Sequence, residues 1–177
     1  MTQSLFRRLL PGDVDALPRV LRAAHDADDM QHWKGLANVT MSRNPIGRVL
    51  CRMMKLPAQG QGVPVTVVFE RLPHGERWRR TFAGRSYRSD LTVRDGLMVE
   101  RMGMATNIFR VTFDEGQILL DLVAFRFLGL SLPSWLRPRC RATEREQDGR
   151  YVFDVPVSLP LLGPIIHYTG SMERCDA

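Results

Sequence analysis

The chain has 177 residues, 44 % hydrophobic and 25 % charged, with a formal charge of +6, which suits one domain able to bury roughly 70 % of its unfolded surface without disulfide staples. Cys51, Cys140 and Cys175 have no C-x-x-C spacing and cannot all pair, which points to a reducing cytoplasm, and no apolar run approaches the ~20 residues of a membrane span, Arg7 and Arg8 interrupting any signal core. Neither nucleic acid nor an anionic membrane surface is expected as a partner: of 25 basic residues only Lys34 and Lys55 are lysine, the arginines are spread along the chain, and no ribonucleoprotein motif, zinc finger or helix-turn-helix signature occurs.

In chain order, Asp13 can cap a helix from about Val14 to Ala27, with Leu17, Val20, Leu21 and Ala24 at helical spacing and Pro18 in its first turns. Trp33 to Met41 alternates as a first strand. A second helix, Pro45 to Leu56, carries Ile46, Val49, Leu50, Met53 and Met54 on one broad face and is stopped by Pro57. The glycine-rich Gln59–Gly62 loop leads into a run of short period-two strands: Val63 to Arg71, Arg77 to Phe82, Leu97 to Met102, Ile108 to Phe113, Ile118 to Phe127, Arg141 to Glu146, Tyr151 to Val157 and Ile165 to Met172. Turn signals at Pro73-His74-Gly75, Asp95-Gly96, Asp114-Glu115-Gly116 and Asp148-Gly149 separate them. The pattern predicts an α+β fold and a single domain over 1–177: a helix-strand-helix opening (1–58) and an antiparallel meander (63–173). That meander is expected to be a strongly bent sheet or partly open barrel of about eight to nine strands with two N-terminal helices. A chain ending on a strand argues against a helix-grip arrangement, so a lipocalin-like or half-barrel form is expected.

Alternation then sorts side chains by face. Trp78, Arg80 and Phe82 share one face of their strand, and Met98, Glu100 and Met102 share one of theirs, so Arg80 and Glu100 are expected to meet inside. A charge left unpaired in a core costs several kcal/mol, so a salt bridge is expected there whether it is structural or anchors a ligand. Ile118, Leu120, Leu122, Ala124, Arg126 and Leu128 share a face, which predicts Arg126 as a further inward cation. Ala142, Glu144 and Glu146 share another, where two carboxylates could work as acid and base or merely cap a solvated hairpin. His25 falls near the end of the first helix, where an imidazolium suits the dipole; His167 and Tyr168 point to opposite faces of the last strand, so one of them sees the interior. No histidine, cysteine or carboxylate spacing suggests a metal, and no nucleophile elbow or phosphate loop is present. The Gly129 to Pro138 segment, broken by glycine and proline, is expected to be a non-strand loop placing Trp135 over the mouth of the sheet as a lid or plug.

These readings support three functions: a cofactor-free cavity for a small molecule or lipid, anchored by Arg80, Glu100 and Arg126 and lined by Trp78, Trp135 and Tyr168; a cofactor-independent isomerase or cyclase using Glu100, Glu144 or Tyr168; or an interaction module.

The spaced residues Leu17-Pro18-Arg19-Val20-Leu21, Val65-Thr66-Val67-Val68-Phe69-Glu70, Trp78-Arg79-Arg80-Thr81-Phe82-Ala83-Gly84, Val99-Glu100-Arg101-Met102-Gly103, Gly129-Leu130-Ser131-Leu132-Pro133, Leu159-Pro160-Leu161-Leu162-Gly163 and Tyr168-Thr169-Gly170 resemble the bacterial domain-of-unknown-function family 4166 over nearly the whole chain. The family has no assigned activity. Its members are often fused to, or found beside, saccharopine-dehydrogenase-like or other NAD(P)-binding proteins, so the resemblance implies an accessory role in small-molecule metabolism and an NAD(P)-dependent dehydrogenase as a partner.

Overall fold

The computed structural model describes residues 3–27, 30–54 and 56–175. Three helices, α1 (Leu5–Leu9), α2 (Arg19–His25) and α3 (Pro45–Met53), accompany eleven strands: β1 (Gln31–Met41), β2 (Gly60–Leu72), β3 (Gly75–Phe82), β4 (Arg85–Arg94), β5 (Leu97–Met102), β6 (Ala105–Asp114), β7 (Gln117–Phe127), β8 (Leu130–Ser131), β9 (Arg139–Gln147), β10 (Arg150–Leu159) and β11 (Gly163–Arg174).

Every pairing is antiparallel, and apart from the short β8 each strand lies beside its successor. The β6–β7 and β1–β11 pairings complete the ring, so ten strands form a closed up-and-down barrel and β8 hangs on β7 as an extra strand. The barrel is thus closed, where a partly open one of eight or nine strands was expected. The strand missing from the count is β4. Its inward positions begin with Tyr87 and Ser89, which dilute the apolar period; Ser89 is fully buried because Arg80 Nη1 donates to its Oγ at 2.8 Å. The Gly129 to Pro138 segment also departs from expectation, since Leu130 and Ser131 pair with Phe127 and Arg126.

The first expected helix is split. Pro18 disfavours helical backbone at the residue before it, and Leu17 is extended (ψ 140°), so Val14–Ala16 is a 3₁₀ turn and α2 starts at Arg19. α1 has no counterpart in the sequence reading; Ser4 Oγ accepts from Arg7 N at 3.2 Å to start it, and Leu5, Phe6 and Leu9 are buried. α3 is capped by Asn44, whose Oδ1 accepts from Ile46 N at 2.9 Å, and ends at Met53 rather than Leu56; Lys55 lies outside the described residues.

The two ends of the barrel differ. α1 and α2 close the end at which the β2–β3, β4–β5, β6–β7 and β9–β10 turns lie, with Phe6 stacked on the His25 ring at 3.9 Å and packed against Trp78. The other end carries α3, the β3–β4, β5–β6 and β10–β11 turns, and the 128–138 segment. Outward strand positions include the exposed Arg79, Arg88, Arg101, Arg110 and Arg141, whereas the inward ones are mostly apolar, the inverse of the lipid-facing pattern of membrane barrels. Among the described residues no helix is long and apolar enough to cross a membrane.

The β1–β11 seam has little room. A Cβ at Gly35 would sit 1.9 Å from Ser171 O on the facing strand. Gly35→Ala therefore has to push the seam apart, and urea unfolding should show a loss of roughly 3 kcal/mol or more, as for other gross steric conflicts in a core.

Candidate ligand cavity

Ten strands enclose more space than an eight-stranded barrel, whose own side chains just fill it. Here α1 and α2 plug one end, and a cavity of about 380 Å³ remains toward the other. Its walls are overwhelmingly apolar. It runs from Trp78, Glu144 and Tyr151 near the helical plug to Leu50 of α3, Met54 at its C-terminal cap, and Leu132 and Pro138 of the loop between β8 and β9.

One polar patch interrupts the apolar wall, built by neighbouring strands β3 to β6. Arg80 lies opposite Tyr87, and Glu100 opposite Asn107, in the sheet register. Arg80 Nη1 donates to Glu100 Oε1 at 3.2 Å, and Asn107 Nδ2 donates to Glu100 Oε2 at 3.0 Å. The guanidinium carbon stands 4.7 Å from the Trp78 ring centroid and 5.7 Å from that of Tyr87, so cation–π attraction supplements the ion pair. Burial opposes the charge on Arg80, but Glu100, Tyr87 and Tyr168 outweigh it and hold its pKa above the ordinary value. Burial also raises the Tyr87 phenol and drives that of Tyr168 well up, so both stay protonated hydroxyls; the Tyr87 hydroxyl makes no hydrogen bond of good geometry, although the Tyr168 side chain is close enough to act on it.

A second polar group lies at the plugged end. His25 Nε2 donates to Glu144 Oε2 at 2.8 Å, and the Tyr151 hydroxyl stands 3.4 Å from the same nitrogen. Burial pushes Glu144 upward, yet His25 and the Tyr151 hydroxyl outweigh it and leave the carboxyl below its ordinary range. Nearby, Glu76 is buried and accepts from Trp78 Nε1 at 2.9 Å; desolvation raises its pKa despite that bond and the proximity of His25. Burial lifts the Cys140 thiol to about 12, which removes it as a nucleophile near neutral pH. Among the described residues no cluster of His, Cys, Asp and Glu could hold a metal ion.

The structure brings together Trp78, Arg80, Glu100, Glu144 and Tyr168, all of which line the cavity. Arg126 is not with them. A bulge at Val123, opposite Ile108 and Phe109, shifts the β7 phase by one residue, so that Phe125 and Phe127 line the cavity and Arg126 is exposed. Trp135 is 64 % exposed and outside the lining, so its indole does not cover the mouth as expected; Leu132 and Pro138 of the same segment do face the cavity. Glu146 is turned to structure, its Oε2 accepting from Val20 N at 2.8 Å at the start of α2. His25 is buried inside rather than placed at a solvated helix end, and His167 pairs outside with Asp154 at 2.7 Å while Tyr168 faces in. The sequence reading missed Tyr87 and Ser89 with their strand, and Asn107, Tyr151 and Glu76. Glu76 shares the parity of Trp78 and Arg80, so extending β3 by one residue would have found it.

With the cavity defined, comparison places the chain. It belongs to the family described as Domain of unknown function (DUF4166), which it matches over residues 17–172. A comparison with curated proteins gave no match. The match begins just before α2 and ends within β11, so it spans the barrel strands and α2, while α1 precedes it.

Two expectations follow from the buried charges. Arg80→Met strands Glu100 and should cost about 3–5 kcal/mol in denaturant unfolding, whereas Arg80→Met combined with Glu100→Gln should recover most of that loss, because no uncompensated charge remains. For Glu76, the folded pKa lies above the ordinary 4.5, so its contribution to stability is complete below pH 4.5 and is lost as pH rises through the folded pKa. Glu76→Gln keeps an acceptor for Trp78 and removes that loss. The stability difference between variant and parent should thus move in the variant's favour above pH 4.5, by at most about 1.4 kcal/mol per pH unit, as read from urea midpoints across pH.

Proposed function

We infer that this DUF4166 barrel binds one small apolar molecule carrying a hydrogen-bond-accepting head, such as a carbonyl or carboxylate. The observation that carries this reading is the guanidinium of Arg80 inside an otherwise apolar cavity of about 380 Å³, a size within the range of small-molecule sites. Arg80 spends only Nη1 on Ser89 and Glu100; its Nε and Nη2 hydrogens meet no acceptor among the described residues. A ligand acceptor placed there would complete them, with the Tyr87 hydroxyl beside it and the apolar tail running toward Leu50, Met54 and Leu132.

An acid/base role for Glu100, Glu144 or Tyr168 draws less support. Both carboxylates already sit in close charged or hydrogen-bonded pairs, Glu144 has its pKa lowered rather than tuned toward neutrality, and Tyr168 is raised away from it. The geometry favours holding over transforming.

Native mass spectrometry of freshly purified protein should show an added mass that denaturing extraction releases as an apolar metabolite or lipid. Ala142, which lines the cavity with a small side chain, supplies the control: Ala142→Phe occupies the space and should remove both the co-purified mass and the binding of an apolar fluorescent probe such as cis-parinaric acid. The double variant Arg80→Met/Glu100→Gln should retain the fold and bind the probe at least tenfold more weakly, a loss matching one charge-assisted hydrogen bond of about 1.5–3 kcal/mol. Undiminished probe binding in Ala142→Phe would place the ligand outside the barrel and end this reading.

A further inference from the structure

The same tight turn recurs around the barrel with different residues at its two ends. At Asp95-Gly96, Glu115-Gly116 and Asp148-Gly149, on the plugged end, a carboxylate residue takes the left-handed position before glycine. At Ala83-Gly84 and Leu128-Gly129, on the open end, that position is alanine and leucine. Leu128 (φ 51°) adopts a conformation unfavourable for a bulky side chain and returns nothing in packing, being 66 % exposed. It is joined to the neighbouring turn by Leu128 N donating to Met104 O at 2.9 Å, and Met104 is exposed as well.

Exposure of single apolar residues is ordinary, but these are not scattered. Of the ten large apolar side chains exposed among the described residues, eight lie at the open end: Ile46, Val49 and Met53 along one stripe of α3, with Met104, Leu128, Leu130, Trp135 and Leu161 on the loops around it. Leu130 and Leu161 are 73 % and 78 % exposed.

Charge is divided in the same way. No Asp or Glu occurs in residues 30–69, 77–89, 101–113, 122–143 or 155–172, and every turn, loop and helix at the open end falls within one of those stretches. Arg43, Arg48, Arg52, Arg85, Arg126 and Arg139 are exposed there. The chain's net positive charge is thus concentrated around an apolar rim, while the carboxylates gather at the plugged end.

We propose that the open end of the barrel is a peripheral docking face for an anionic lipid bilayer, its apolar rim entering the interfacial layer and its arginines contacting lipid phosphates. Both parts of a membrane-surface site are present, apolar side chains that reach below the headgroups and cations that seek them. Trp135 stands where an indole prefers to sit at such a boundary. An acid-free, arginine-bearing rim is the electrostatic complement of an anionic leaflet, and docking by this end turns the mouth of the cavity toward the hydrocarbon. The attachment itself does not depend on what the cavity holds.

Trp135 also reports on the test, because Trp33 and Trp78 are each only 3 % exposed. Titration with vesicles of equal phosphatidylglycerol and phosphatidylcholine should shift the tryptophan emission to the blue and co-sediment the protein; pure phosphatidylcholine vesicles should do neither, and 0.5 M salt should release the protein, surface charges being screened within about 4–5 Å there. Each arginine near an anionic surface contributes roughly fivefold, so Arg48→Gln/Arg52→Gln should weaken partitioning by roughly 25-fold. Leu128→Asp, which installs the residue used at Asp95 and Asp148, should leave the melting temperature unchanged or raised and still reduce co-sedimentation. Ala142→Phe should dock like the parent, which separates this inference from the proposed ligand. Absence of any shift and co-sedimentation with the anionic vesicles overturns the proposal. So does equal binding to both vesicle types, or a concentration-dependent dimer in sedimentation velocity that Leu128→Asp dissolves without any vesicle binding, which would assign the face to a second copy of the chain.

Discussion

Closure of the sheet is the constraint on which the rest depends. Once β6 pairs with β7 and β1 with β11, each barrel strand has two neighbours, and the backbone polar groups facing along the sheet are satisfied without help from the interior. Inward side chains are then free of any duty to hold edges together. With ten strands the enclosed volume exceeds what those side chains fill, and the chain fills only part of the remainder with Phe6, Leu21 and His25 brought in from α1 and α2. The cavity is what is left over, and its position near α3 follows from which end the helices occupy.

Inside that space the polar groups are arranged so that no charge stands alone. Glu100 is held by Arg80 and Asn107, Glu144 by His25, and Arg80 lies between two aromatic rings. Satisfied pairs of this kind add little net stability compared with an apolar core of equal volume. Arg80, Tyr87, Glu100 and Asn107 come from the four consecutive strands β3 to β6, so this patch is a product of sheet register rather than of any single element. Glu76 lies outside the cavity lining; it is buried, accepts from the Trp78 indole N–H, and has its pKa raised by desolvation.

Much of this was legible from alternation alone. Nine strands, the inward placement of Arg80, Glu100 and Tyr168, and the outward placement of His167 follow from period-two counting, because a strand with one wet face fixes the direction of every second side chain. What counting could not carry was a change of phase. The Val123 bulge turns Arg126 out and Phe125 and Phe127 in, and a bulge driven by ladder geometry leaves no mark in composition. β4 escaped because Ser89 is an interior residue only through the hydroxyl's bond to Arg80, a partner nine positions away. His25 escaped because its role depends on α2 entering the barrel, a tertiary event that the helix's own sequence does not announce. Closure was likewise invisible, since it depends on the β1–β11 register and not on any local signal.

That register also bears on how the barrel comes to exist. Trp33 pairs with Arg174 and Met41 with Ile166, so the seam joins strands separated by nearly the whole meander. Hairpins from β2 to β10 can form from near neighbours, but the ring cannot shut until β11 has left the ribosome, and until then β1 presents an unpaired edge. Contacts of such sequence separation slow folding and prolong exposure of open strands. Synthesis of this barrel thus contains an interval in which nearly all of its hydrogen-bonded ribbon is made, its interior is open to water, and the last strand alone decides whether it closes on itself or pairs with another chain.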